Sequence, residues 1–298
     1  MMCRKVHAHI AMIAVIVGAM AWSGCEDPIP TDLYVEQTLI EALLTVNQPV
    51  EGILISRSTP IADTFRFEDS FVRDAQVMIY SDKDTMRLVY RQGRFSSEYY
   101  CPDTTKIVQP LTRYNLRVQM QDGRVFTSAM TTPSPFVWKQ KLPDILQFPK
   151  DTNNLQRPDF NVFTSWTPAV NQNDFVLRLR CLDTLGYGKY LSPPTEEKNR
   201  RVYRFFENTR SARYRNTAQY IFLGNATASP VAWLAFKWYG KQEVSVLAPE
   251  SNYLRWFKQR FGGNTFNPLL TNIEGGAIGA FGAAAEINHE VFILKNQR

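Results

Sequence analysis

Tyr114-Asn115-Leu116-Arg117-Val118-Gln119-Met120-Gln121-Asp122-Gly123-Arg124-Val125-Phe126-Thr127-Ser128 is the stretch that decides the fold. Tyr114, Leu116, Val118 and Met120 occupy alternate places, with Asn115, Arg117 and Gln119 between them. A period of two sends one set to each face of a strand. Asp122-Gly123 is a hairpin turn, because glycine accepts the left-handed backbone of a tight turn between twisted strands. The chain returns through Arg124 to Ser128. Working back from this hairpin, strands are expected at Tyr34–Thr45, Val50–Arg57, Ala75–Tyr80 and Met86–Tyr90. Val46-Asn47-Gln48-Pro49 is a turn, and the polar stretch 59–71, with Pro60 and no clear period, is a loop.

The approach to the hairpin, Pro110-Leu111-Thr112-Arg113-Tyr114, resembles the tyrosine corner of immunoglobulin-like and fibronectin-type sandwiches, in which a tyrosine hydroxyl ties back to the chain upstream. The resemblance implies one sandwich over residues 32–132. Residues 133–158 then carry five prolines, at 133, 135, 143, 149 and 158. Proline lacks the donor that a sheet ladder needs, so this stretch reads as a linker. Residues 159–298 open a second β-rich region. Strands are expected at Phe160–Trp166, from Phe175 to Cys181, and at Val202–Phe206, Tyr220–Leu223, Val231–Tyr239, Glu243–Leu247 and Glu286–Leu294. One helix is expected near the end, capped by Ser251, with Tyr253, Leu254, Trp256, Phe257 and Phe261 at helical spacing. A glycine-rich bend is expected at Glu274–Gly282. The fold class is therefore mainly β, with two β-sandwich-like domains.

The N-terminus has a different character. Arg4 and Lys5 precede an apolar run, Ile10 to Trp22, that is too short to span a bilayer as a helix. It has the size of the apolar region of a secretory signal. Trp22-Ser23-Gly24-Cys25 follows and resembles the lipobox of a bacterial lipoprotein, although Trp22 stands where a small or branched residue is usual. The resemblance implies a signal peptide over residues 1–24, diacylglycerol on Cys25 and a short tether over 25–31. An ordinary cleaved signal is the alternative. Glu26-Asp27 resembles the acidic export tag of surface lipoproteins in the Bacteroidetes, so the expected location is the outer membrane, lipid-anchored and facing outward.

Composition narrows the chemistry. The chain has 298 residues, 44% hydrophobic and 13% aromatic, enough to bury a core. Its net charge of +6 is uneven: Glu26 to Thr132 holds 11 basic against 15 acidic residues, and Pro133 to Arg298 holds 21 against 13. The basic half points to an anionic partner such as lipopolysaccharide or acidic glycan, or to a solvated surface with no partner. Nucleic acid does not fit an exported, lipidated chain. The sharpest feature is Arg200, Arg201, Arg204, Arg210, Arg213 and Arg215, interleaved with Tyr203, Phe205, Phe206 and Tyr214. Arginine forks hold carboxylate or phosphate, and aromatics stack on sugars or cations. The competing reading is a strand pair with arginines toward solvent and aromatics inside.

Nothing in the sequence marks an active site. His7 and His9 leave with the signal, so His289 is the single mature histidine, which argues against a histidine triad or a histidine-rich metal site. No G-x-S-x-G or P-loop occurs. The carboxylate pairs Glu68-Asp69, Asp82 with Asp84, and Glu196-Glu197 read as surface charge. No enzyme activity, cofactor or metal is expected. Cys3 leaves with the signal and Cys25 is the lipid site, so Cys101 and Cys181 remain, either as two buried thiols or as a disulfide that export would permit.

The tail carries a family resemblance. Asn267-Pro268, then Asn272-Ile273-Glu274-Gly275-Gly276, then Gly279-Ala280-Phe281-Gly282 resemble a group of Bacteroidetes lipoproteins catalogued as domain of unknown function 4249. Glu41 to Thr45, Ile53 to Ser58 and Tyr253 to Phe257 fit the same family in order and spacing. The extra residue at Ala277-Ile278 departs from its pattern. The resemblance implies a lipoprotein often encoded beside TonB-dependent transporters, with no known activity. The expected function is an accessory or binding subunit for such a transporter; the alternatives are a surface adhesin and, last, a carbohydrate-active enzyme.

Overall fold

In the computed structural model the described residues are 34–60, 63–64, 66–92, 97–151, 155, 157–202, 218–261 and 271–296. Cys25 and the residues before it lie outside them, as do Asn267 and Pro268. Among the described residues the first strands are β1 Thr38–Thr45, β2 Leu54–Arg57, β3 Gln76–Tyr80, β4 Thr85–Gln92 and β5 Ser97–Tyr100. The hairpin is β6 Arg113–Gln119 and β7 Val125–Thr131. Next come β8 Trp138–Gln140, β9 Ile145–Gln147, β10 Asp159–Trp166 and β11 Phe175–Cys181. The chain ends with β12 Gln219–Gly224, β13 Ala228–Val231, β14 Gly240–Pro249, helix α1 Ser251–Phe261 and β15 Ile278–Leu294.

The fold is mainly β, as the alternating sequence implied. Tyr114 is fully buried, and its hydroxyl accepts a hydrogen bond from the Gln109 N–H at 2.9 Å, which makes the tyrosine corner. Strands β5-β4-β3-β6-β7 form a five-stranded sheet, and β13-β10-β8 a three-stranded one. A third sheet runs β12-β11-β14-β15-β1-β2, with β9 also on β15. All pairings are antiparallel except β1 and β9 on β15, which are parallel.

That third sheet corrects the expected division at 133–158. β15 is 17 residues long and belongs to both halves. Its first half pairs with β1, from Leu39↔Ile278 to Thr45↔Ala284, and its second half pairs with β14. Side-chain alternation keeps Phe281 and Ala283 on the same face as Ala285, Ile287, Val291 and Ile293. Phe281 and Ala283 join a core with Ile40, Leu44, Val77, Leu116 and Phe126, under the five-stranded sheet. Ala285, Val291 and Ile293 join a second core with Trp166, Phe175, Trp233 and Val246. Two cores thus sit along one strand, and Gln37–Ser58 with Arg66–Arg298 form a single compact unit. The opposite face carries α1, where Phe257, Tyr253 and Leu254 pack on Val176, Leu247 and Ala284.

Other local expectations change for identifiable reasons. The proline-rich stretch holds two strands, β8 and β9. Each is three residues long and fits between prolines, so no ladder donor is missing. Val231–Tyr239 is not a strand: it leaves β13 for a tight turn at Trp233–Ala235, and Trp233, Phe236 and Tyr239 fill the second core from an irregular backbone. Glu250, not Ser251, caps α1: its two carboxylate oxygens accept the N–H groups of Asn252 at 2.9 Å and Tyr253 at 2.6 Å.

The glycine-rich tail is a splice that continues into strand β15. Thr127 and Glu274 exchange both backbone hydrogen bonds, at 3.2 and 2.8 Å, which ties the tail to β7. The Asn272 carboxamide bonds the Phe281 N–H at 3.0 Å and its carbonyl at 2.8 Å, standing in for a strand partner. Gly279 has a φ of 140°, and a Cβ there would collide with the Ile40 carbonyl. Gly276 has a φ of 91° but open space around it. Gly279→Ala is therefore expected to cost about 3 kcal/mol or more and Gly276→Ala about 1 kcal/mol. At about 2–4 °C per kcal/mol for a chain of this size, thermal melting should separate the two clearly. Equal melting temperatures would mean that β1 does not need this close approach.

Candidate functional site

Of the six arginines singled out from the sequence, Arg204, Arg210, Arg213 and Arg215 lie outside the described residues, with Tyr203, Phe205, Phe206 and Tyr214. Arg200 and Arg201 are described, and they stack. Arg201 makes an isolated antiparallel bridge with Trp238, and its guanidinium carbon sits 4.9 Å from the Trp238 ring centre. Arg200 lies 4.6 Å over Tyr239. Such stacking is worth about 0.5–2 kcal/mol, more as water is excluded. Arg201 is only 9% exposed, and burial lowers its pKa from the usual arginine value. Burial and then the Arg201 charge lower that of Lys237. Arg201 is thus part of the wall. Charge reversal there would place a carboxylate against Trp238, so Arg201→Glu is expected to lower the melting temperature by about 5 °C or more, against about 1 °C for Arg200→Glu.

The structure assembles a charged group that the sequence did not reveal. Arg178 on β11 reaches Glu243 on β14 at 3.0 Å and Glu286 on β15 at 2.5 Å, with Ser245 Oγ at 3.1 Å from the same nitrogen. Arg180 also bonds Glu243, at 3.0 Å. Arg178, Arg180, Glu243 and Glu286 line a recess of 290 Å³ beside the β1–β2 turn, together with Gln48 and Asn288. The local signal was legible: Arg178 alternates with Leu177 and Leu179, and Glu243 with Val244. The register Arg178↔Ser245 and Arg180↔Glu243 was not, because it depends on β14 lying between β11 and β15. Glu243 and Glu286 both pair with one guanidinium, an arrangement that cross-links three strands.

The carboxylates noted in the sequence take structural places. Asp84 pairs with Lys106 at 2.7 Å, and Glu197 with Lys295 at 2.6 Å. Glu68 and Asp69 lie exposed in a short turn. His289 Nε2 is 2.9 Å from the Leu142 carbonyl and 3.3 Å from Asp144. Cys101 and Cys181 are both buried and are not bonded to each other, and burial pushes the Cys181 thiol up to about 11. A thiol raised this far is a poor nucleophile at neutral pH.

Asp183 organises the loop that follows. Burial pushes its carboxyl up, but Lys189 Nζ at 2.6 Å, the Gly186 N–H at 2.7 Å, the Tyr190 hydroxyl at 2.9 Å and the Leu185 N–H at 3.0 Å outweigh it. The net effect holds the carboxyl well below the usual range. A folded pKa below the unfolded value stabilises above that unfolded value, near 3.9, and the stabilisation fades as pH falls through the folded one. Asp183→Asn should therefore lower the melting temperature at pH 7, with the gap to the unaltered chain narrowing below about pH 4. A gap constant across pH would remove the carboxylate from this role.

The family described as Domain of unknown function (DUF4249) matches residues 26–289. The chain belongs to this family. No curated protein matches the chain. Among solved structures, the crystal structure of DIP-gamma IG1+IG2 is 5% identical with a TM-score of 0.20, covering 89% of this chain and 99% of that one. The chicken CNTN1 FN1-FN3 structure is 9% identical with a TM-score of 0.18, covering 84% of this chain and 64% of that one. The fold described above rests on the strand pairings, not on these overlays.

Proposed function

We propose that this chain is an outer-membrane lipoprotein, anchored through lipid on Cys25 and facing outward, that acts as a binding or scaffold subunit rather than as an enzyme. The observation that carries the reading is the apolar run Ile10 to Trp22 leading through Ser23-Gly24 to Cys25, with the family match beginning at residue 26. Among the described residues no helix is long and apolar enough to cross a membrane, and an anchor of several acyl chains needs none. The charges that the fold brings together are engaged with one another, as in the Arg178 cluster, which favours a display scaffold over a reaction centre. A TonB-dependent transporter is the partner we assign. An anionic glycan or lipopolysaccharide would meet Arg200 rather than the buried Arg201.

The anchor is tested by Cys25→Ala. The altered protein should leave the membrane fraction and lose labelling by a fatty-acid analogue. If it still pellets with outer membranes and still labels, the anchor lies elsewhere. Protease added to intact cells should cleave the unaltered protein, whereas cleavage only after lysis would turn it toward the periplasm.

A further inference from the structure

A second cavity lies away from the charged recess. It has a volume of 460 Å³ and is formed by the end of β7, the β10–β11 loop and the start of α1. Four carboxamide side chains line it, Asn171, Gln172, Asn173 and Asn252, together with the Thr131 hydroxyl. Met130, Pro249 and Leu254 supply an apolar portion of the wall.

We propose that this cavity binds a short neutral saccharide. The charge state comes first. A helix start ordinarily attracts an anion through its open N–H groups. Here Glu250 already occupies that position, with its oxygens on the Asn252 and Tyr253 N–H groups. The other carboxylate in the lining, Asp174, is paired with Lys258 at 3.4 Å. A charged ligand finds no counter-charge that is not already engaged.

The hydrogen-bonding capacity comes second. Among the described residues, the side chains of Asn171, Gln172, Asn173, Asn252 and Thr131 hydrogen-bond to no protein group. Each carboxamide offers an acceptor oxygen beside a two-proton donor. That pair is complementary to two neighbouring hydroxyls, each of which donates and accepts. Four such groups from two elements, with the Thr131 hydroxyl from a third, match a molecule that is uncharged and hydroxylated along several edges. The apolar wall of Met130 and Leu254 suits the C–H face of a sugar ring.

Geometry and size come third. Asn171 has a φ of 60°, a left-handed conformation that asparagine tolerates, and the turn is closed by the Gln172 N–H on the Ala169 carbonyl at 3.2 Å. The loop is therefore set before a ligand arrives. The volume lies toward the lower end of the roughly 300–1,000 Å³ of small-molecule sites, which fits a short oligosaccharide and not a folded partner.

This inference rests on the binding role proposed above but not on the anchor, and the two fail separately. The test is calorimetric titration of the purified full-length protein, in detergent, with neutral di- and trisaccharides: maltose, cellobiose, chitobiose, mannobiose and their next homologues. At least one should bind. Asn173→Ala and Asn252→Ala should each weaken it about tenfold, the loss expected for one or two hydrogen bonds. Neither change should move the melting temperature by more than about 2 °C. Raising salt from 50 to 500 mM should leave the affinity within twofold, because no charge pair forms. Absence of binding across the panel overturns the inference. So does binding that both variants retain, or a preference for uronic-acid or sulfated sugars that salt abolishes. The result of the Cys25→Ala fractionation bears on none of these outcomes.

Discussion

Parallel pairing of β1 with β15 is the constraint on which the rest of the structure depends. Leu39 through Thr45 take their backbone partners from Ile278 through Ala284. Through this pairing one sheet runs beneath both cores. Parallel neighbours need a long crossover, and here the crossover contains most of the chain. The pairing tolerates no side chain where Gly279 passes the Ile40 carbonyl. It is reinforced by Trp256 of α1, whose indole N–H donates to Glu41 at 2.8 Å from the other face of the same sheet.

The strand class was legible because period two is a local property. Tyr114, Leu116 and Val118 needed only their neighbours to be placed, and so did Phe175, Leu177 and Leu179. Even the tyrosine corner was written in five consecutive residues, Pro110 to Tyr114. Sheet membership was not legible. Whether β15 pairs with β14, with β1 or with both depends on contacts between residues far apart in sequence, which alternation does not encode. The glycines show the same limit. Glycine-rich runs signal a bend when read locally, yet Gly279 and Gly282 lie inside a strand because another backbone passes close by.

Charge was misleading in the same way. Runs such as Arg200-Arg201 and Glu196-Glu197 drew notice because they are contiguous. In the fold Arg201 is stacked in a wall and Glu197 holds Lys295. The polar group that does assemble, Arg178 with Glu243 and Glu286, comes from single charges on three strands, each flanked by apolar residues. The carboxamide cavity is similar: Asn171 to Asn173 lie in the β10–β11 loop, and Asn252 joins them only because α1 starts beside it.

The β1–β15 pairing also orders events in time. The hairpin β6–β7 closes over a few residues and can form as soon as it is made. β1 cannot find its parallel partner until β15 exists, so Ile40, Ala42 and Leu44 wait uncovered while nearly all the remaining chain is synthesised. A first core that needs the last strand makes a slow, late-closing domain with a high contact order. The element that locks the structure is the last to emerge.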